Sequence, residues 1–228
     1  MNDLRGSSYT MGLYHILNRG VEQRDIFLDK GDRARFVHDL YEFNDVKPAR
    51  NTTRIMNDLR GRPLETKRIV DLHGWVLMRN HYHLLVSERI EGGLTRFIMK
   101  LNVGYAKYFN EKYKRSGTLF QSRTKKVLIH SDAHFLHILH YIHLNPLDFL
   151  AGAKAWRTGE ITDAKKALLH LESYRWSSYL DYCGKKNFPS ILTTELFADV
   201  FGSYGKTLKA YMQEMEDGPS VLRTLKLE

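Results

Sequence analysis

His81 and His83, in the string RNHYHLLVS, form a pair whose type and spacing could do chemistry. In an extended strand, residues i and i+2 project from one face, so the two imidazoles would stand side by side. Two neutral imidazoles make half of a divalent-metal site. The plain alternative is two polar side chains on the wet face of a half-exposed strand, and for an isolated His-x-His it is the commoner one. Either way, Tyr82, Leu84 and Val86 point in the opposite direction, into a layer of helices.

The segment HSDAHFLHILHYIHLNP is rich in histidine. At ~100° per residue, His134, His137, Tyr141 and Asn145 fall on one stripe. Phe135, Leu136, Leu139 and Ile142 gather on a separate apolar arc. The period therefore places Tyr141 on the polar stripe rather than in the core. Its plain alternative is an amphipathic ring at a packing boundary.

In KYKRSGTLFQSRTKK, six cations follow one another without an acid: Lys112, Lys114, Arg115, Arg123, Lys125 and Lys126. Tyr113 and Phe120 are interleaved and offer rings on which unpaired bases could stack. A solvated basic face explains such a run by itself; beside a metal site and a polar tyrosine, a phosphate-backbone groove explains it better. Other constellations are poor. There is no GxxxxGK[ST] loop and no GxSxG elbow. Cys183 has no histidine near it in sequence, Trp75, Trp156 and Trp176 read as core anchors, and His73 reads as structural, with the metal neighbourhood as its alternative.

Several elements must position these residues. Leu13 to Leu17 reads as a strand closed by Asn18–Gly20, and Asp32 reads as the N-cap of a helix burying Phe36, Leu40 and Phe43. Residues 68–87 read as two strands joined at Arg79–Asn80, 94–113 as a long amphipathic helix, 118–129 as a strand, and 132–145 as a helix stopped before Pro146. The order strand, helix, strand, strand, helix, strand, helix predicts an α+β domain: a ferredoxin-like two-layer sandwich, a small antiparallel sheet with helices on one side. Residues 146–172 read as loops, and a helical C-terminal extension starts at Thr193. The expected division is a flexible terminus at 1–10, a catalytic domain at 11–150 and an accessory extension at 151–228, a candidate second DNA-binding element. A basic insertion at 45–67 carries Pro48, Gly61 and Pro63, and seven Lys/Arg lie between Lys47 and Arg68. The hexapeptide MNDLRG occurs at 1–6 and again at 56–61, without the period of a repeat fold.

Composition bounds the function. Across 228 residues, 35 Lys+Arg against 26 Asp+Glu give +9, which suits a polyanionic partner, nucleic acid or an anionic membrane surface. With 43% hydrophobic residues a proper core is expected. A single cysteine excludes a disulfide framework or a Cys-based zinc finger. No signal-like or membrane-spanning run is visible, so the expected address is the cytoplasm.

Five strings, NRGVEQRDIF, GWVLMRNHYHLLV, SGTLFQSRTKKV, HYIHLNPL and YRWSSYLDY, stand in an order and spacing that closely resembles the REP-associated tyrosine transposases of the single-tyrosine HUH superfamily. The resemblance spans about residues 11–184. It implies a ferredoxin-like core, a divalent metal (Mg²⁺ or Mn²⁺) on His81 and His83, and Tyr141 as nucleophile. Two positions depart from the family pattern. Tyr82 stands where a bulky apolar residue is usual, and Asn145, the candidate third ligand, where relatives carry glutamine. An Asn carbonyl oxygen suits a hard cation.

The function so implied is a metal-dependent endonuclease and strand transferase acting on single-stranded or hairpin DNA (REP-like palindromes), as monomer or homodimer. Attack by Tyr141 would leave a 5′-phosphotyrosine and a free 3′-hydroxyl, a link that a DNA hydroxyl can reverse. Two other readings stay open: a hydrolytic metal-dependent nuclease, and a non-catalytic protein that binds structured nucleic acid. Lys112, Lys114, Arg115, Arg123, Lys125 and Lys126, with Tyr113 and Phe120, are the expected DNA contacts, and Arg50 to Arg68 a further stretch.

Overall fold

The computed structural model describes residues 12–47 and 67–217. The first ten residues, most of the basic insertion and both copies of MNDLRG lie outside the described residues. The core follows the order β1 (Leu13–Arg19), α1 (Lys30–Glu42), β2 (Val70–Leu77), β3 (His81–Glu88), α2 (Gly93–Lys112), β4 (Lys125–Leu128) and α3 (Asp132–Leu144). The four strands form one antiparallel sheet in the order β2-β3-β1-β4. This is the βαββαβ arrangement of a ferredoxin-like fold, α+β as the element order implies.

Helices on one side of the sheet hold for α1 and α2, which bury Phe36, Leu40, Phe97, Leu101 and Tyr105 against Ile16, Trp75, Tyr82, Leu84 and Val86. The opposite face is covered too. There α3 places Phe135, Ile138, Leu139 and Ile142 on Leu13, Val76 and Leu85. A strand buried on both faces loses polar alternation, and β3 is buried at every position from His81 to Ser87. The two histidines therefore lie under a helix rather than on a wet face.

Local chemistry shifts several boundaries. Asp29, not Asp32, caps α1; Asp32 sits three residues on and closes a capping box with it. Gly104 lets α1 end on α2, because a Cβ there would lie 2.3 Å from the Phe43 ring. The expected strand 118–129 shrinks to Lys125–Leu128. Before it, Gln121 donates to Arg19 O and Leu119 O accepts from Val21, so the chain turns around the end of β1.

Residues 146–172 are not merely loops. Single 3-10 turns span Asn145–Phe149 and Lys154–Thr158, and α4 (Ala164–Ser173) starts where the Asp163 side chain accepts from Lys166 N. Then come α5 (Tyr179–Tyr182), α6 (Glu195–Phe201) and α7 (Tyr204–Asp217), α6 ending at Gly202 with φ 55°. These helices join the α3 core through Ala167, Leu171, Phe197, Leu208 and Met212. Among the described residues no helix is long and apolar enough to cross a membrane.

Candidate active site

Register fixes the face. β1 and β3 pair Leu17 with His83 and Arg19 with His81. Directly paired residues share a face, so His15, Leu17, Arg19, His81 and His83 all point toward α3. His81 Nδ1 lies 2.6 Å from Asn80 Oδ1, and Asn80 Nδ2 donates to Gln23 O at 3.1 Å. Glu22 and Gln23 hold positive φ (55° and 59°) in that turn, a strained backbone that holds the anchor in place. An Nδ1–H donated to Asn80 leaves the His81 Nε2 lone pair for a ligand.

His83 is completely buried, and its Nδ1 lies 2.9 Å from His15 Nε2, the two rings stacked at 5.1 Å. Its Nε2 has no hydrogen-bond partner among the described residues. Burial first, then the neighbouring His15, His81, Arg157 and Arg19, hold its pKa well below the ordinary histidine value, so the ring is neutral. A neutral imidazole with one nitrogen fixed and the other bare has the character of a metal ligand. Among the described residues, no group of three or more His, Cys, Asp or Glu is placed to hold a metal. The two imidazoles would supply two nitrogen ligands to an ion.

From α3, the Tyr141 ring stands edge-on to His83 at 5.7 Å and to His15 at 5.9 Å. It is 8% exposed. The period puts Tyr141 on a polar stripe, but the structure buries it in the α3 core, and of that stripe only the Tyr141 ring meets the histidines. Arg157 Nη1 donates to the Tyr141 hydroxyl at 3.1 Å, and Trp156 packs beside the ring at 5.6 Å. Asn145 is occupied at both ends: its amide donates to Tyr141 O at 2.7 Å, and its oxygen accepts from Arg157 Nη2 at 3.0 Å. The oxygen expected to face a metal instead receives a guanidinium.

The basic run divides. Lys112 pairs with Asp29 and Asp32 at 2.7 Å each, and Tyr113 donates to Asp32 at 2.8 Å, so both are committed to the start of α1. Arg115 donates to Asn110, and Phe120 packs against Tyr82, half-buried. Lys114, Arg123, Lys125 and Lys126 are exposed. Lys125 is paired with Leu17 and shares the His83 face, whereas Lys126 reaches Thr95 on α2. Consecutive strand residues cannot line one groove.

His134 and His137 stay apart from this group, His137 beside Tyr211. His73 is held by Thr193 O and Ser87 Oγ, a structural role. Partial burial raises the Cys183 thiol pKa, which disfavours the thiolate. Trp75 and Trp156 are buried; Trp176 is only half so, stacked on Phe188.

Four residues of the site escaped the motif reading: His15, Arg19, Asn80 and Arg157. Strand alternation carries a signal for the first two, since His15 and Arg19 lie at even spacing in LYHILNR. Arg157 lies in a stretch with no periodic pattern, and only the fold brings it to Tyr141.

No curated protein matches the chain. Among solved structures, the chain is similar to one described as a REP-associated tyrosine transposase bound to a REP hairpin, with 14% sequence identity and a TM-score of 0.47, over 86% of this chain and 93% of that one. Residues 46–145, which contain His81, His83, Tyr141 and Asn145, match the family described as transposase IS200 like, and over that span the transposase resemblance read from the motifs is borne out.

Proposed function

We propose that this chain is a metal-dependent single-strand DNA endonuclease and strand transferase of transposase type, acting on hairpin-associated DNA through a 5′-phosphotyrosine on Tyr141. One observation carries the reading: a tyrosine from α3 meets a neutral, half-satisfied histidine of β3, its ring 5.7 Å away. The family match over the same residues supports it.

His81 and His83 would hold the ion, Mg²⁺ or Mn²⁺, through their Nε2 atoms. When bound, it would polarise a phosphate oxygen. The chain's own residues do the rest. Tyr141 Oη attacks phosphorus in line, the P–O3′ bond breaks, the 3′-oxygen takes up a proton and the phenol proton leaves to solvent. Trp156 and the sheet histidines pack around the ring, which is 8% exposed. An unpaired strand can bring its phosphate to a buried tyrosine, whereas a duplex holds its backbone away. Lys125, exposed on the same sheet face as His83, supplies a cation for the backbone of that strand. Both halves of the site come from one chain, so a monomer holds every group the step needs.

The test is a denaturing gel after incubation with hairpin DNA bearing a single-stranded flank and Mn²⁺. Wild type gives a covalent protein–DNA adduct, and Tyr141→Phe binds the DNA without forming one. An adduct that persists in the Phe variant assigns the nucleophile elsewhere, with Tyr105, Tyr108 and Tyr113 next in line. Cleavage without any adduct turns the reading to hydrolysis.

A further inference from the structure

Arg157 comes from the part of the chain that follows the family match. It sits in the 3-10 turn Lys154–Thr158, which Gly159 closes with φ 82°. Its guanidinium touches three acceptors at once. Nη1 donates to the Tyr141 hydroxyl at 3.1 Å; Nη2 donates to Asn145 Oδ1 at 3.0 Å and to Asp148 Oδ2 at 2.7 Å. The same carboxylate accepts from Trp156 Nε1 at 2.9 Å, and the guanidinium lies over the Trp156 ring at 4.5 Å.

A purely structural ion pair with Asp148 would need one edge of the guanidinium. The other edge is turned to the oxygen that has to become a nucleophile. The planar fork meets the phenol from Nη1 and the amide and carboxylate from Nη2, a fixed two-nitrogen spread that a single ammonium nitrogen does not have. The group is also pinned, by stacking below and by Asp148 behind, so it need not reorganise when charge appears on the phenol. Burial opposes its charge, but the hydrogen bond to Asp148 and the Tyr141 oxygen outweigh that and hold its pKa above the ordinary value.

We propose that Arg157 is a catalytic residue, whose guanidinium aims the Tyr141 oxygen and carries the positive charge against which the phenolate forms. It exchanges no proton. As the Oη–P bond forms and the P–O3′ bond breaks, the phenol proton goes to solvent while the guanidinium stays bonded to the tyrosine oxygen. In the reverse step, a DNA 3′-hydroxyl gives its proton to solvent and displaces Tyr141, and the departing phenolate is received by the same cation until solvent reprotonates it. The C-terminal extension is then part of the reaction centre as well as of the core. This inference rests on Tyr141 being the nucleophile.

The test compares full-length wild type, Arg157→Ala, Arg157→Met and Tyr141→Phe on flanked hairpin DNA with Mn²⁺. Binding is followed by anisotropy, and adduct formation by single-turnover denaturing gels. At saturating DNA, both Arg157 variants form adduct ~10²–10³-fold more slowly, the usual effect of losing one preorganised donor. Added guanidinium ion restores part of the rate to Arg157→Ala and leaves wild type unchanged. Met keeps the packing over Trp156 without the charge, so it decides the matter should the Ala variant fail to fold. A wild-type rate in either variant, or an Ala defect that Met repairs, overturns the proposal. If wild type forms no adduct, or Tyr141→Phe still forms one, the nucleophile reading falls and takes this role with it.

Discussion

His83 and His73 are both fully buried, yet only His73 has both ring nitrogens satisfied. A bare buried nitrogen costs about 1–3 kcal/mol, and a ligand at His83 Nε2 would remove that cost. His83→Ala is therefore expected to leave the thermal transition in place while cleavage disappears. An Mn²⁺ titration followed by electron paramagnetic resonance should show binding lost in the same variant. His15 contributes through the tautomer: by accepting from His83 Nδ1 it would turn the Nε2 lone pair outward. His15→Phe keeps the stacked ring and removes the acceptor, so Mn²⁺ affinity should drop ~10–100-fold, as it does when such supporting partners are lost. His15→Gln, which can still accept, should recover much of it. Equal affinity in wild type and the Phe variant would show that the stacking alone positions His83.

At the scale of elements, the sequence carried most of what positions the histidines. Period-two spacing put His81 and His83 on one face, and period 3.6 put Tyr141 away from the apolar arc of its helix. What it could not show was that the two faces meet, because no local pattern says which side of a sheet a late helix will cover. The same gap hid α4, whose Ala164, Ala167 and Leu171 are buried at helical spacing behind the Asp163 cap; small residues give a faint apolar signal. The basic run shows the converse failure. Read as a string it is one patch, yet the pleat of β4 sends Lys125 to the His83 face and Lys126 to α2. These two lysines should therefore behave differently. Lys125→Ala should weaken binding of flanked hairpin DNA and lower the slope of log K against log salt by about 0.7–0.9, one phosphate contact's worth. Lys126→Ala should leave the slope unchanged. Anisotropy titrations across a salt series decide it, and equal slopes for the two variants would remove Lys125 from the DNA path.

At the scale of the whole molecule, the C-terminal helices hold the helix that carries Tyr141. The Tyr204 hydroxyl of α7 meets His140 Nδ1 at 3.1 Å and His143 Nδ1 at 2.8 Å, and His143 Nε2 meets Ser178 Oγ at 2.7 Å. The Ser178 oxygen in turn accepts from Trp75 N on β2. One buried polar chain thus runs from α7 through α3 to the sheet, and its burial disfavours charge on either imidazole. Burial pushes His140 down to about 3 and His143 well below its ordinary value. In the unfolded chain both titrate near ~6.5. Below that pH the unfolded state takes up protons that the folded state refuses, so stability falls as the pH drops from about 6.5 toward the folded values, by at most ~1.4 kcal/mol per pH unit for each proton. Above about 6.5 the two states bind alike and this contribution is fully present. Asp29, whose pKa is lowered chiefly by Lys112, acts only below the ordinary carboxylate range and so in a separate, more acidic window. Urea melts at several pH values between about 7 and about 5 should therefore show a falling midpoint well before the carboxylates titrate. His140→Gln combined with His143→Gln, amides that do not titrate, should flatten part of that slope. A midpoint that stays level from about pH 7 to about pH 5 would mean that the polar chain opens to water and does not bind α3 to the sheet.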